Sequence, residues 1–255
     1  MHMLDWFSSR IFLGPAQRRL FRRGLPILTY HKIAQPPLGT TDPFLYVSPG
    51  QFDRQLTQLR GHDYGFASLD EALEGGTTHA RSVVVTFDDG CVNVLEKGLP
   101  ILAQHKARAI QFLVSDFLGR RNEWDVAKGD TPESLMTESQ VREWLAAGHE
   151  IGSHSATHPN LRHVSPAPAR EEILGSKKSL EDRFGREVLH FCYPYGSWNE
   201  SVRDLVAEAG YRTACTMDFG VNSPDTPPYQ LRRVLPLSSS EMLHKIRHRL
   251  LRKIR

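Results

Sequence analysis

The chain alternates short apolar runs with longer stretches whose apolar residues recur at helical spacing. Short runs bounded by glycine or proline predict strands, whereas recurrence every three or four residues predicts helices. The predicted strands are residues 25–31, 66–69, 83–87, 109–114, 150–153, 189–193, 212–216 and 231–237, and the predicted helices are residues 48–60, 70–73, 95–105, 137–147, 166–184 and 201–209. Strands that alternate with helices in this way predict a single α/β domain with a mainly parallel sheet or barrel.

The most apolar of these runs ends in two adjacent carboxylates. Residues 82–87 read Ser-Val-Val-Val-Thr-Phe, and Asp88, Asp89 and Gly90 follow directly. Because side chains alternate faces along a strand, two neighbouring aspartates can share an orientation only where the strand is ending. The two anions repel each other, and one would take up a proton unless a positive charge lies nearby. A bound metal ion is the simplest source of that charge.

A pair of histidines, His154 and His158, follows another short strand about 65 residues further on. On a helix or helical turn, a spacing of four puts both imidazoles on one face, within reach of one ion. With Asp89 as third ligand, the set leaves one coordination position open, which is typical of catalytic metal sites. Asp88 is then available as a base.

Each of these motifs has a plainer explanation when it is taken alone. A His-x-x-x-His pair is often a chance surface feature, and Asp-Asp-Gly is often a turn. The combination, with both motifs at strand ends, favours a site for one divalent ion. We expect zinc, with cobalt, nickel and iron as alternatives, because two histidines and an aspartate suit several divalent ions.

The two motifs carry a resemblance. Residues 86–90 (TFDDG) together with residues 154–158 (HSATH) resemble the polysaccharide deacetylase family, the NodB-like carbohydrate esterases of family 4. Residues 27–31 resemble the first strand of the branch with bacterial poly-N-acetylglucosamine deacetylases, the branch to which the chain is most similar. Residues 135–137 and 147–153 resemble the approach to the family's histidine motif, and residues 193–196 resemble its third motif. The resemblance covers residues 25–237. It implies a distorted (β/α)7-type barrel and metal-dependent hydrolysis of an N-acetyl or N-formyl amide on a sugar.

The resemblance also implies roles for individual residues. Asp88 is expected to be the base, and the aspartate and two histidines named above are expected to hold the metal. Tyr193, Pro194 and Tyr195 match the third motif and are expected to line the sugar groove. A backbone N–H near Tyr195 is expected to help stabilise the oxyanion. Two tyrosines beside a proline are equally compatible with a packed strand end.

The sequence departs from the family pattern at two points. Many members carry an arginine that orients the base where this chain has Cys192, so we hypothesise that Arg233, on a late strand, reaches Asp88 instead. The alternative is a surface arginine. A Leu-x-His motif that supplies the general acid in many members is also missing from the last strand, and His31 is the best-placed substitute. The alternative for His31 is a histidine that lines the groove.

Composition and charge narrow the class of protein. A net charge of +3 over 255 residues does not favour a nucleic-acid partner. Three cysteines without metal-type spacing indicate reduced thiols. No apolar run is long enough to span a bilayer, and no secretory signal precedes residue 25, so we expect a cytoplasmic protein.

The two ends of the chain share a basic and apolar character. We therefore divide it into an N-terminal segment (1–24), the deacetylase domain (25–237) and a basic amphipathic C-terminal helix (238–255). Such a helix can contact an anionic membrane peripherally, or it can simply pack on the domain. An N-acetylated glycan or a lipid-linked sugar intermediate is the expected substrate. The alternatives are a deformylase or amidase acting on another linear amide, and a non-catalytic glycan- or membrane-binding domain.

Overall fold

The computed structural model describes residues 12–74 and 81–237 of the chain. Residues 1–11 of the predicted N-terminal segment and the whole predicted C-terminal helix, 238–255, lie outside the described residues. Within the described ranges, no helix has both the length and the apolar character needed to cross a bilayer.

The described chain contains strands and helices in regular alternation. The strands are β1 (Ile27–Tyr30), β2 (Lys32–Ile33), β3 (Tyr46–Val47), β4 (Gly65–Phe66), β5 (Ser82–Phe87), β6 (Ile110–Leu113), β7 (Glu150–Ser153), β8 (His190–Cys192), β9 (Thr213–Phe219) and β10 (Leu231–Arg233). The helices are α1 (Pro15–Phe21), α2 (Pro49–Arg60), α3 (Leu69–Glu74), α4 (Leu99–Gln104), α5 (Glu138–Ala146), α6 (Pro166–Arg170), α7 (Ser176–Phe184) and α8 (Glu200–Glu208).

The main sheet is parallel and curls into a barrel. Its strand order is β1-β5-β6-β7-β8-β9-β10, with β4 pairing with the start of β5 and a separate pair formed by β2 and β3. The two ends of this order meet, because the Thr29 N–H donates to the Val234 carbonyl (3.1 Å) and the Val234 N–H donates to the Ile27 carbonyl (2.8 Å). The predicted distorted (β/α)7-type barrel is therefore confirmed.

The central strands are apolar because both of their faces are buried in the core. Every residue of β5 is buried, since one face lies inside the barrel and the other lies under the surrounding helices. The described part of the N-terminal segment joins this core. Phe12 and Phe21 pack edge to face with ring centroids 6.2 Å apart, and Phe21 packs in turn on Tyr64 at 5.9 Å.

Two of the predicted elements that end earlier or change form contain a proline. The predicted helix 95–105 is a π-helical turn, Val94–Gly98, followed by α4. Pro100 has no N–H to donate, and the wider turn before it accommodates the missing hydrogen bond. The predicted strand 231–237 ends at Arg233, three residues before Pro236, and the Pro236 carbonyl accepts a hydrogen bond from the Gln55 side chain (2.7 Å).

Candidate active site

The predicted site residues meet at the carboxyl ends of the strands. His31 follows β1, the Asp88-Asp89 pair follows β5, and His154 follows β7. Parallel strands of a barrel bring these ends to one face, where α/β barrels build their active sites. There the side chains line a cleft of about 530 Å³.

The backbone turns sharply at this face. Six non-glycine residues in the described chain have positive φ, and four of them belong to the site: Asp89 (75°), Ser155 (67°), His158 (65°) and Tyr195 (60°). Left-handed backbone costs a non-glycine residue about 1–2 kcal/mol and clusters at functional sites. The turn at Asp89 explains how two adjacent aspartates serve one cleft, because it redirects the second carboxylate toward the histidines while Asp88 continues the strand.

Three buried ligand atoms converge on one point. Asp89 Oδ1 lies 3.6 Å from His154 Nε2 and 3.5 Å from His158 Nε2. Ligands about 2.1 Å from a tetrahedral metal ion stand roughly 3.4 Å apart, so this spacing fits one divalent ion. A second group, Asp88, His154 and Cys192, is equally compact. A metal ion would bind this second group poorly, because a guanidinium already donates hydrogen bonds to the Asp88 carboxylate.

Each histidine is oriented by a neighbour. His154 Nδ1 donates to the Cys192 carbonyl (2.7 Å), which leaves Nε2 unprotonated and directed at Asp89. The His158 ring lies against Trp124, with centroids 4.4 Å apart and planes tilted by 21°. Tyr195 meets the same ring edge-on at 4.6 Å. Both imidazoles are thus held in place for metal binding.

The prediction that His154 and His158 share a helical face is wrong. The segment between them is an irregular loop in which Ser155 and His158 both adopt left-handed backbone. The His158 N–H donates to Ser155 Oγ (3.0 Å), which closes the loop. The spacing of four therefore works through a tight turn and not through helical periodicity.

The structure places Arg233 against Asp88, deep in the barrel. Arg233 Nη1 donates to Asp88 Oδ1 and Nη2 donates to Asp88 Oδ2, each at 2.8 Å. The guanidinium also donates to the Thr216 carbonyl through Nε (2.8 Å) and to Thr86 Oγ1 through Nη1 (3.2 Å). Cys192 Sγ lies 3.2 Å from Nη2. Arg233 therefore supplies the positive charge beside Cys192, at the point where the sequence of this chain lacks the expected arginine.

This ion pair determines the charge of Asp88. Burial alone would raise the pKa of Asp88, but the Arg233 guanidinium, assisted by His31 and His154, brings that pKa well below its usual range. The idea that a metal ion must relieve the repulsion between the two aspartates is thus incomplete, because the chain supplies its own cation for one of them. Asp88 remains an anion with or without metal.

His31 lies at the edge of the same group. Its Nε2 is 3.7 Å from Asp88 Oδ2, beyond hydrogen-bond distance, and its side chain is partly exposed to the cleft. This geometry is compatible with a proton donor and with a groove-lining histidine. Its role as general acid stays a prediction.

The third motif splits between the cleft and the core. Tyr195 lines the cleft and is 44 % exposed. Tyr193 and Pro194 are buried, and the Tyr193 hydroxyl donates to the Tyr229 carbonyl (3.1 Å). The prediction that Tyr193 and Pro194 line the sugar groove is therefore wrong, because both are buried and, of the three motif residues, Tyr195 is the one that lines the cleft. The oxyanion role of the backbone near Tyr195 stays a prediction.

One aromatic side chain of the site, Trp124, was not predicted from the sequence. Trp124 belongs to a 3₁₀ segment, Glu123–Lys128, in a region where neither a helix nor a strand is predicted. The next residue, Asp125, forms a buried ion pair with Lys32 Nζ (2.9 Å), and that pair fixes the segment to β2. A tryptophan in an otherwise polar stretch was the available signal.

Comparison with known proteins places the chain in a family. Residues 75–214, more than half of the 255, match the family model described as Polysaccharide deacetylase. The chain belongs to the polysaccharide deacetylase family. The match spans both metal motifs, so the family predicted from them is confirmed, and the chain is a hydrolase of this class.

Individual relatives of this deacetylase cover most of its length. It is 28 % identical over 216 residues to YxkH of Bacillus subtilis (strain 168), covering 82 % of this chain and 70 % of the relative. It is 26 % identical over 208 residues to the poly-β-1,6-N-acetyl-D-glucosamine N-deacetylase of Staphylococcus aureus (strain MSSA476), covering 79 % and 71 %. Among solved structures, the Streptococcus pyogenes deacetylase PplD in complex with acetate aligns with a TM-score of 0.73 and 27 % identity, covering 87 % of this chain and 97 % of that one.

Proposed function

We propose that this chain hydrolyses an N-acetyl amide on a sugar, releasing acetate and a free amine, with zinc as the bound ion. The proposal rests on one observation: a candidate metal site and an ionised carboxylate lie side by side at the end of β5. A compact His₂Asp cluster lies beside a buried carboxylate that an arginine keeps ionised. A site of this kind holds a metal and a base side by side, which amide hydrolysis requires.

The roles divide among the chain's own residues. When bound, the divalent ion supplies Lewis-acid activation at the centre of the cleft. Asp88 is the proton acceptor, and Arg233 orients its carboxylate through two parallel hydrogen bonds. His31, partly exposed beside Asp88, is the candidate donor of a proton to the leaving amine. The carbon–nitrogen bond breaks, and the elements of water are divided between the acyl group and the amine.

The relatives support the choice of substrate. The Staphylococcus aureus relative is named for deacetylation of poly-β-1,6-N-acetyl-D-glucosamine, and the PplD structure contains acetate. Tyr195 offers an aromatic face at the cleft, as sugar-binding sites often do. A deformylase acting on a related N-formyl sugar is the second candidate, since the residues named above do not distinguish the two acyl groups.

Cytoplasmic location and peripheral contact of the termini with anionic membrane remain part of the proposal. They depend on sequence features that lie mostly outside the described residues. Their test is the distribution of the intact protein between soluble and membrane fractions of cells that express it.

The experiment that tests the activity is acetate release from N-acetylated glucosamine oligomers, with formate release from N-formyl analogues measured beside it. We expect Asp88→Asn to abolish turnover without changing metal content. The matched control, Asp182→Asn, changes an exposed aspartate that pairs with Lys178 on α7 and should leave turnover unchanged. Full activity in Asp88→Asn would contradict the assignment of the base.

A further inference from the structure

A five-residue loop carries both candidate histidine ligands. We call residues 154–158 the histidine loop. Within it, Ser155 (φ 67°) and His158 (φ 65°) adopt left-handed backbone, which is unfavourable for residues other than glycine. Such a conformation persists only where surrounding contacts hold it. The contacts of the histidine loop therefore determine whether His154 and His158 point at one ion.

Both ends of the histidine loop are held by hydrogen bonds to the barrel and within the loop itself. The His154 N–H donates to the carbonyl of Leu113, the last residue of β6 (2.8 Å). The Ser115 N–H donates to the Ser155 carbonyl (3.2 Å), and the His158 N–H donates to Ser155 Oγ (3.0 Å). The N–H groups at the centre of the loop, at residues 156 and 157, have a different kind of acceptor.

One carboxylate accepts the hydrogen bonds at the centre of the loop. Glu172 Oε2 accepts from the Ala156 N–H (2.9 Å) and from the Thr157 N–H (2.8 Å), and Glu172 Oε1 accepts from Thr157 Oγ1 (2.5 Å). The Glu172 carbonyl also accepts from the Ala156 N–H (3.1 Å). Successive N–H groups that converge in this way form a concavity that binds an anionic oxygen. Glu172 is therefore the side chain that fixes the centre of the histidine loop.

The helix that carries Glu172 is itself anchored. Residues Glu171–Gly175 form a π-helical turn between α6 and α7. In this turn Ile173 is completely buried, whereas Glu171 is exposed. Turns of this kind are rare, and those that occur are frequently found at functional sites. The turn anchors Glu172 to the core and presents its carboxylate to the histidine loop.

Glu172 acts on the candidate metal site from outside it. It belongs to neither of the compact groups of ligand atoms in the described chain, and the residues that line the cleft do not include it. Both of its carboxylate oxygens are already engaged by the histidine loop. Its contribution therefore passes through the loop backbone to the two histidine rings.

We propose that Glu172 is a positioning residue for the metal centre, because its carboxylate holds the histidine loop in the conformation in which His154 and His158 bind one ion. The proposal rests on the metal site of the proposed function, but the hold on the loop does not. Both N–H groups donate to the same oxygen, so the effect depends on an acceptor at that point more than on a negative charge.

Two substitutions of Glu172 separate geometry from charge. In Glu172→Gln, the amide oxygen still accepts from both N–H groups, and the amide NH₂ donates to Thr157 Oγ1. Glu172→Ala removes every side-chain acceptor. Glu171→Ala is the matched control, since it removes an exposed glutamate from the same turn. Because Glu172 is only half-buried, all three variants should fold.

The first measurement is hydrogen exchange at the Ala156 and Thr157 amides of the full-length protein without metal. An amide in a hydrogen bond exchanges only when that bond opens. We expect the Thr157 amide to exchange at least about tenfold faster in Glu172→Ala, because it loses a charged acceptor. The Ala156 amide should change less, because the backbone carbonyl of residue 172 still accepts from it. Glu172→Gln and Glu171→Ala should exchange nearly like the wild type, and wild-type exchange in Glu172→Ala would overturn the proposal.

The second measurement is zinc affinity, from competition with a chelator. We expect Glu172→Ala to bind zinc about 10–100-fold more weakly than the wild type, as loss of a residue that orients metal ligands does. Glu172→Gln should recover most of that affinity, and Glu171→Ala should match the wild type. Zinc affinity in Glu172→Ala equal to that of the wild type would contradict the proposal, and so would a Glu172→Gln variant as weak as Glu172→Ala.

Failure of the proposed function gives a different pattern. A wild type that binds no zinc contradicts the metal site on which the proposed function depends, and it overturns the role of Glu172 toward the metal at the same time. A wild type that binds zinc, together with unchanged zinc affinity and unchanged exchange in Glu172→Ala, overturns the role of Glu172 alone.

Discussion

Replacing Arg233 with methionine removes the cation that faces Asp88 inside the barrel. Both residues are 2 % exposed and are joined by two hydrogen bonds of 2.8 Å. Removing one partner of a buried ion pair typically costs about 3–5 kcal/mol, because the other charge is left uncompensated. We therefore expect Arg233→Met to lower the free energy of unfolding by about 3 kcal/mol at neutral pH.

The same substitution should change the pH dependence of catalysis. In the wild type, burial raises the pKa of Asp88 and Arg233 more than reverses that effect, so the folded pKa lies below the unfolded value. Such a carboxylate stabilises the fold above an unfolded pKa of about 3.9, and the stabilisation is lost as pH falls below that value. Without Arg233, burial dominates and the pKa of Asp88 rises. The acid limb of the kcat/KM profile should then move to higher pH by at least about one unit, the equivalent of about 1.4 kcal/mol.

The assay combines urea unfolding, metal content and kcat/KM measured from acid to neutral pH. Arg232→Met is the matched control, because Arg232 is the exposed neighbour on the same strand. Arg233→Lys should recover part of the activity, since it restores the charge without the bidentate geometry. Wild-type turnover and an unshifted pH profile in Arg233→Met, while Asp88→Asn is inactive, would show that Arg233 does not control the charge or orientation of Asp88.

Three further predictions concern other side chains. His31→Ala should lower kcat by about 10²-fold with unchanged metal content, as loss of a general acid does, and loss of metal would instead make His31 a ligand or ligand support. Trp124→Ala should weaken metal affinity about tenfold in competition with a chelator, because the His158 ring loses its stacking partner (4.4 Å), and wild-type affinity would contradict this. Burial, with a smaller effect from Arg108, lowers the pKa of His149 to about 4. Its neutral form therefore stabilises the fold above about pH 6.5, and that stability is lost as pH falls toward 4. His149→Phe should flatten this part of the thermal-midpoint profile, and an unchanged slope would show that His149 does not contribute.

The metal motifs could be predicted because each is contiguous and lies at a strand end. Asp88 and Asp89 follow an apolar run whose burial is evident from its composition, and parallel strands bring such ends together. The same logic made Arg233 a reasonable partner for Asp88. Its hydrogen bonds could not be predicted, since they depend on the register of β10 against β9, which is irregular between Leu231 and Arg233.

Other features depend on backbone conformations or long-range contacts that no local pattern encodes. His154 and His158 converge through left-handed residues, which spacing alone cannot distinguish from a helix. Tyr193 and Tyr195 are two residues apart and were both assigned to the groove. Tyr193 faces the core, whereas the left-handed backbone at Tyr195 brings that side chain into the cleft.

The proposed chemistry depends on Asp89, His154 and His158 holding one divalent ion. The most direct test is bound metal per chain by elemental analysis, for the wild type beside His154→Ala, with His163→Ala as the control for an exposed histidine. We expect close to one ion per chain in the wild type and in the control, and little in His154→Ala. No bound metal in the wild type, even after reloading with zinc, cobalt, nickel or ferrous iron, would contradict it.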